Sequence, residues 1–212
     1  MKLYGYWRSS AAYRVRIALN FKQLSYENLP VHLVKNGGEQ HSAEYKALNP
    51  TELVPTLLDN ELSLNQSLAI IEYLDQMYPQ PRLLPDDAGA KAQVRALALD
   101  IACDIHPLNN LRVLQYLTGP LALSEQQKQA WVIHWLEVGF SAFEQRLVAC
   151  AGKFCVGDDV SLADICLVPQ VYNAKRFGLD MTAYPRINGI VEHCQQLAAF
   201  ALAAPEEQAD AQ

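Results

Sequence analysis

Leu3-Tyr4-Gly5-Tyr6-Trp7-Arg8-Ser9-Ser10-Ala11-Ala12-Tyr13-Arg14-Val15-Arg16-Ile17-Ala18-Leu19 changes its periodicity once, and the change falls at the serine pair. Lys2–Tyr6 reads as a short β-strand. Ala11–Phe21 carries Val15, Ala18 and Leu19 at helical spacing and reads as an amphipathic helix. The strand-to-helix turn puts Ser9-Ser10 at a helix N-terminus, where backbone N–H groups lack intrahelical acceptors and the macrodipole favours an anion. A hydroxyl there can donate to a thiolate and lower its pKa. Such a site activates a sulfur nucleophile without supplying one.

The same alternation continues outward. Leu24–Leu33 reads as a second strand and Lys35–Gln40 as a mobile, glycine-containing loop. Glu52–Leu58 and Glu61–Leu64 read as two strands joined by a turn, and Gln66–Tyr78 as a helix. A βαβ unit followed by a hairpin and a helix is a small α/β layer. Pro55 interrupts the third strand. Proline cannot donate to a sheet ladder, so it implies an edge, a bulge or a cis bond, and each of these frees the Val54 backbone to pair with a ligand as a strand would.

Pro79, Pro81, Pro85, Asp86 and Asp87 have the composition of a linker, and the chain beyond them reads helical. The helical stretches are Ala90–Leu117, Ser124–Cys150, Ser161–Lys175 and one after Pro185. Ser161-Leu162-Ala163-Asp164 has the capping-box layout ahead of the apolar run Ile165–Val168; it pins the start of a core helix and carries no catalytic role. Residues 205–212 read as a frayed tail. The domains expected are therefore 1–80, α/β; 81–89, a linker; and 90–212, all-helical.

At 212 residues and 50% hydrophobic, the chain can bury one large core or two modest ones. The formal charge is −6 and no basic run occurs, which argues against nucleic acid and anionic membrane surfaces as partners. No apolar run approaches the ~18 residues of a membrane span, and the chain opens on Met-Lys and then strand rather than on a signal peptide. Cys103, Cys150, Cys155, Cys166 and Cys194 form no Cys-x-x-Cys pair and read as buried or idle thiols of a reducing compartment. His32, His41, His134 and His193 show no ligand spacing, so no metal is expected. The expectation is a soluble cytoplasmic protein.

The opening motif from Arg8 to Leu19, Ala47-Leu48-Asn49-Pro50, Leu53-Val54-Pro55-Thr56-Leu57 and Gln66-Ser67-Leu68-Ala69-Ile70-Ile71-Glu72-Tyr73-Leu74 resemble the zeta class of the cytosolic glutathione transferases. Asp104-Ile105-His106-Pro107-Leu108-Asn109-Asn110 and Leu167-Val168-Pro169-Gln170 continue the resemblance into the second domain. It implies a thioredoxin-like α/β domain followed by an all-α domain, a homodimer, and glutathione as coenzyme. The implied activity is cis–trans isomerisation of 4-maleylacetoacetate to 4-fumarylacetoacetate, a step of tyrosine and phenylalanine degradation, by thiolate addition, bond rotation and elimination. Maleylpyruvate isomerisation and general glutathione transfer are alternatives, and a non-catalytic glutathione-fold binding protein is a third. Zeta enzymes often read Ser-Ser-Cys-Ser at the first turn, where this chain has Ser9-Ser10-Ala11-Ala12, so a mechanism needing a protein thiol at position 11 is excluded.

The resemblance assigns glutathione contacts to Ser9, Ser10, Gln40, Val54, Gln66, Ser67, His106 and Asn110. Ser9 and Ser10 are alternative thiolate partners, one of them the helix cap. An unperturbed thiol has a pKa near ~8.5, and lowering it by ~2 requires about 2.7 kcal/mol, which one charge-assisted hydrogen bond and a helix N-terminus can supply. Gln66-Ser67 opens a helix suited to a carboxylate, Val54 pairs with the cysteinyl backbone, and Gln40 reaches the glycyl end. Arg8 and Arg176 are the candidates for a dicarboxylate substrate, because planar guanidinium groups bind carboxylates bidentately. Arg112 reads as a surface residue, and Tyr4 and Tyr6 as core packing.

Overall fold

A computed structural model describes residues 1–211. Packing divides them into two units, residues 1–82 with 195–211, and residues 83–194. The first unit runs β1 (Lys2–Gly5), α1 (Ser10–Phe21), β2 (Glu27–Pro30), α2 (Ala43–Leu48), β3 (Thr56–Asp59), β4 (Leu62–Asn65) and α3 (Ser67–Met77). The sheet order is β2-β1-β3-β4, with β1 and β2 parallel and the other pairs antiparallel. This is the thioredoxin-like layer that the resemblance implied.

Two strands are shorter than their sequence pattern. β2 occupies only Glu27–Pro30 of the strand expected over 24–33, because β1 offers just four residues to pair with. β3 begins after Pro55 rather than at Glu52, and it lies between β1 and β4. Of the three readings of Pro55 the structure shows the cis bond, and the edge-strand reading is excluded. Proline stands just ahead of the first paired residue, so the missing N–H interrupts no ladder bond. The segment 35–40 holds a 3-10 turn at Lys35–Gly37 and the start of another at Glu39–His41; Gly38, at φ 107°, separates them. α2 had no sequence expectation; Ser42 caps it by accepting from the Tyr45 N–H at 3.2 Å.

α1 is buried nearly all round, from Leu3 and Leu57 of the sheet to Ile70, Ile71 and Leu74 of α3 in the same core. Two arginines of this helix, Arg14 and Arg16, are buried nearly as deeply as Ile17 and Leu19. Lys22 at its C-terminus is buried too, and its ammonium donates to Asp75 Oδ1 at 2.7 Å and to the Tyr78 and Pro81 carbonyls at 2.8 Å each. All three ammonium hydrogens thus find acceptors.

The C-terminal segment departs from expectation. The residues after α8 group with the α/β layer rather than with the preceding helices. Ala198–Ala201 is helical, and Phe200 and Ala203 are buried there. Through Ala211 the tail is tied down by hydrogen bonds rather than frayed; Gln212 lies outside the described residues.

The second unit comprises α4 (Ala88–Leu99), a π-helical turn at Asp100–Ile105, a 3-10 turn at His106–Asn109, α5 (Leu111–Thr118), α6 (Glu125–Leu147), α7 (Leu162–Arg176) and α8 (Pro185–Gln195). The stretch 90–117 is therefore not one helix. Pro107 cannot donate to a helical carbonyl, and Asn110 restarts the helix as the cap of α5. Gly139 of α6 faces Ile105, so closely that a Cβ would meet its side chain at 2.4 Å. The capping box at Ser161 is present: buried Asp164 accepts from Ser161 N–H and O–H at 2.8 and 2.7 Å and from Cys155 N–H at 2.8 Å. Buried Glu144 likewise accepts from the Arg186 and Ile187 N–H groups at the start of α8, where the helix dipole favours an anion. Among the described residues no helix is long and apolar enough to cross a membrane.

Candidate active site

Ser9 is the N-cap of α1. Its backbone is extended (φ −70°, ψ 118°), its Oγ accepts from the Ala12 N–H at 3.2 Å, and its own N–H closes the preceding turn onto the Tyr6 carbonyl at 2.9 Å. Capping uses a lone pair of the hydroxyl and leaves its hydrogen to donate elsewhere. Ser9 is half-buried, whereas Ser10, the first helical residue, is buried. No acidic residue lies in the first turn of α1 to compete for an incoming anion.

A second helix start belongs to the same unit. α3 begins at Ser67, and Gln66 before it has φ 67° and makes no side-chain cap bond. Buried Arg14 of α1 donates from Nη1 to Ser67 Oγ at 3.3 Å, linking the serine-turn helix to the start of α3. The Ser67 hydroxyl accepts that bond and keeps its own hydrogen. Two helix N-termini, each with a serine and neither with an acidic residue in its first turn, thus belong to one unit, and a buried guanidinium of α1 reaches the start of α3. A helix start of this kind offers unpaired N–H groups to an anion.

Val54 precedes the cis bond, and its position is set by a polar hub that the sequence reading left without a role. Asn49, 1% exposed, donates to the Leu53 carbonyl at 2.8 Å and to Thr56 Oγ1 at 3.1 Å, and its Oδ1 accepts from Thr51 Oγ1 and Asn65 Nδ2. The Tyr45 hydroxyl also donates to the Leu53 carbonyl, at 2.7 Å. Burial pushes the Tyr45 pKa up, with its Thr56 and Asn49 contacts opposing. A buried Asn in Ala47-Leu48-Asn49-Pro50 was the available signal.

Gln40 is turned into its own loop. Its Nε2 donates to the Leu33 carbonyl at 3.3 Å and reaches His41 Nε2 at 3.0 Å, while Oε1 is buried without a hydrogen bond among the described residues. His41 Nδ1 in turn lies 2.5 Å from Glu52 Oε2, which also pairs with Lys46 at 3.2 Å. The His41 hydrogen bond is the main reason that the Glu52 pKa is lowered. Arg8 is exposed and stacks over the Trp7 ring at 5.1 Å.

In the second unit, His106 opens the 3-10 turn beside the π-helical segment and is half-buried. The Asn110 side chain accepts from the Arg112 N–H at 3.2 Å as a helix cap, and Arg112 is exposed. Arg176, at the end of α7, is exposed but held: Nη2 donates to Asn173 Oδ1 at 2.9 Å, and its guanidinium lies 4.3 Å from the Phe177 ring centre. Asn173 Nδ2 donates to Asn109 Oδ1 at 2.9 Å, and Asn109 Nδ2 to the Ile105 carbonyl at 3.1 Å. This buried relay joins Arg176 to the turn that carries His106. Asn109 lies in the Asp104–Asn110 stretch of the resemblance but had no role assigned to it, and Asn173 was not singled out.

The family models "Glutathione S-transferase, N-terminal domain" and "Glutathione S-transferase, C-terminal domain" match residues 3–82 and 110–198. A probable maleylacetoacetate isomerase of Vibrio cholerae is 61% identical over 99% of this chain and 97% of its own length. The holo structure of a maleylpyruvate isomerase, described as a bacterial zeta-class enzyme, superposes with a TM-score of 0.97 at 47% identity, covering 100% of both chains. A maleylacetoacetate isomerase of Methylobacterium extorquens AM1, solved with bound malonate and glutathione, gives 0.93 at 40% identity, again covering 100% of both. The chain belongs to the glutathione S-transferase family, in its zeta class.

Proposed function

We propose that this protein is a glutathione-dependent cis–trans isomerase that converts 4-maleylacetoacetate to 4-fumarylacetoacetate. The observation that carries the reading is the pair of helix starts at Ser9 and Ser67, bridged by Arg14. Glutathione, when bound, supplies a thiolate able to add reversibly to an activated double bond and so permit rotation about it. The residues of the chain hold and ionise it. The Ser9 hydroxyl, capping through its lone pair, donates its hydrogen to sulfur, with the α1 dipole behind it; buried Ser10 is the second candidate. Ser67 and the α3 N-terminus hold the γ-glutamyl carboxylate, Gln66 flanks them, and the Val54 backbone pairs with the cysteinyl residue. Gln40 shapes the loop on the glycyl side, and His106 and Asn110 complete the glutathione contacts.

For carboxylate recognition the resemblance offers Arg8 in the first unit and Arg176 in the second, whose stacking and hydrogen bonding limit their freedom and so reduce the entropy lost on binding. Electrostatic stabilisation of the enolate falls to the same arginines. The family resemblance supports a cytoplasmic homodimer, and exposed Leu62, Met77 and Tyr78 offer apolar surface to such a contact. The second reading, maleylpyruvate isomerisation, is favoured by the 0.97 superposition. Purified protein with glutathione should isomerise maleylacetoacetate faster than maleylpyruvate. The reverse preference transfers the assignment to maleylpyruvate, and no turnover of either overturns the isomerase reading.

A further inference from the structure

We propose that the C-terminal segment is a positioning strap for the serine turn, with Asp210 as its working residue. The Trp7 N–H donates to Asp210 Oδ2 at 3.1 Å, across 203 residues of sequence. The opposite edge of the same turn is held by Arg16, whose Nη2 donates to the Trp7 carbonyl at 2.9 Å and Nη1 to the Tyr6 carbonyl at 3.5 Å. Arg16 Nε donates to the Ala203 carbonyl at 3.0 Å, so one buried guanidinium grips the turn and the tail together. The Tyr13 hydroxyl and Asn20 amide of α1 donate to the Phe200 and Ala199 carbonyls at 3.5 and 3.3 Å. The Trp7 residue is therefore fastened at both its N–H and its C=O.

The Tyr6 carbonyl is also the acceptor for the Ser9 N–H. Anything that moves Tyr6 and Trp7 moves the cap hydroxyl. Burial lowers the Arg16 pKa to about 10, and Tyr26, Tyr13 and the Asp210 carboxylate oppose that fall. The carboxylate thus serves the turn through its bond to Trp7 and the guanidinium through its charge. The apolar burial of the tail ends at Pro205; beyond it Glu206, Glu207 and Ala209 are exposed. A misplacement of ~1 Å at a reacting group can cost about a hundredfold in rate, so fixing this turn has value beyond stability.

This inference rests on the reading of the Ser9 turn as a glutathione site. The test uses the full chain with Asp210→Ala, Asp210→Asn and, as a control, Gln208→Ala, which removes the tail's own bonds to the Leu202 and Ala204 carbonyls. Glutathione affinity is measured by calorimetry, and ionisation of the bound thiol by ultraviolet thiolate absorbance against pH. Asp210→Ala should weaken glutathione binding about tenfold and move thiol ionisation to higher pH, as loss of a charge-assisted hydrogen bond requires. Asp210→Asn should fall between, because its amide oxygen can still accept, and Gln208→Ala should match the parent. Unchanged affinity and ionisation in Asp210→Ala, or an equal loss in Gln208→Ala, overturns the strap. If the parent protein binds no glutathione, the proposed function fails instead. Hydrogen exchange at the Trp7 and Ser9 amides then decides the strap by itself: it stands if Asp210→Ala loses their protection and falls if protection is kept.

Discussion

Replacing Lys22 by methionine should be among the most damaging single changes outside the candidate site. The ammonium is fully buried and satisfies three acceptors at once, the Asp75 carboxylate and the Tyr78 and Pro81 carbonyls. Methionine fills much of the same volume, so the cavity contribution is small and the loss is electrostatic. Removing one partner of a buried ion pair costs about 3–5 kcal/mol. The two carbonyls add to this only in part, because the turn that carries them lies near the surface and can admit water. Near about 4 kcal/mol, and at about 3 °C per kcal/mol for a chain of this size, the melting midpoint should fall by about 12 °C. Asp75→Asn should cost less, and the double variant less than the sum, with a coupling of about 2 kcal/mol. The assay is thermal and urea unfolding followed by circular dichroism. A Lys22→Met midpoint within about 2 °C of the parent would refute the picture of a dry, fully bonded ammonium.

Ser9→Ala should return the bound glutathione thiol toward its ordinary pKa and cost about 1 kcal/mol of stability through the lost cap, whereas Ser10→Ala should do neither; ultraviolet titration and melting of both variants check this. Asn173→Ala should raise KM for the dicarboxylate about tenfold with glutathione affinity unchanged, and Asn173→Asp, which restores an acceptor for Arg176, should recover part of it in steady-state kinetics. The Glu52 carboxyl has a lowered pKa in the fold, so its contribution is present above the usual carboxylate pKa and is lost as pH falls through the folded value. Protection factors of the Gly38–His41 amides, measured by hydrogen exchange, should therefore drop on acidification below the usual carboxylate range. They should be independent of acidification in Glu52→Gln.

Much of the site was legible because its parts are local. A serine at a strand-to-helix junction, a glutamine-serine pair opening the next helix and a proline ahead of an interior strand each act through backbone within a few residues. Ser9 and Ala12, or Ser161 and Asp164, need only helical geometry to meet. The cis bond was one of three options that the sequence left open, since a missing donor does not say how the chain avoids needing it. The break in 90–117 carried one signal, Pro107, but the apolar spacing on either side hid it.

What the pattern of residues determined by itself is the order of elements, the α/β layer followed by helices, and the helix start capped by Ser9. These follow from periodicity and capping, which are properties of neighbours along the chain. Tertiary structure alone decided that Arg14, Arg16 and Lys22 lie inside, that Asn109 and Asn173 form a relay to Arg176, and that the final residues pack against the first. The physical reason lies in the partners. Arg16 and Lys22 donate largely to backbone carbonyls, which every residue type carries, and the Asn109–Asn173 bond spans 64 residues. A backbone acceptor leaves no mark in the sequence, so these contacts exist only once the chain has closed on itself.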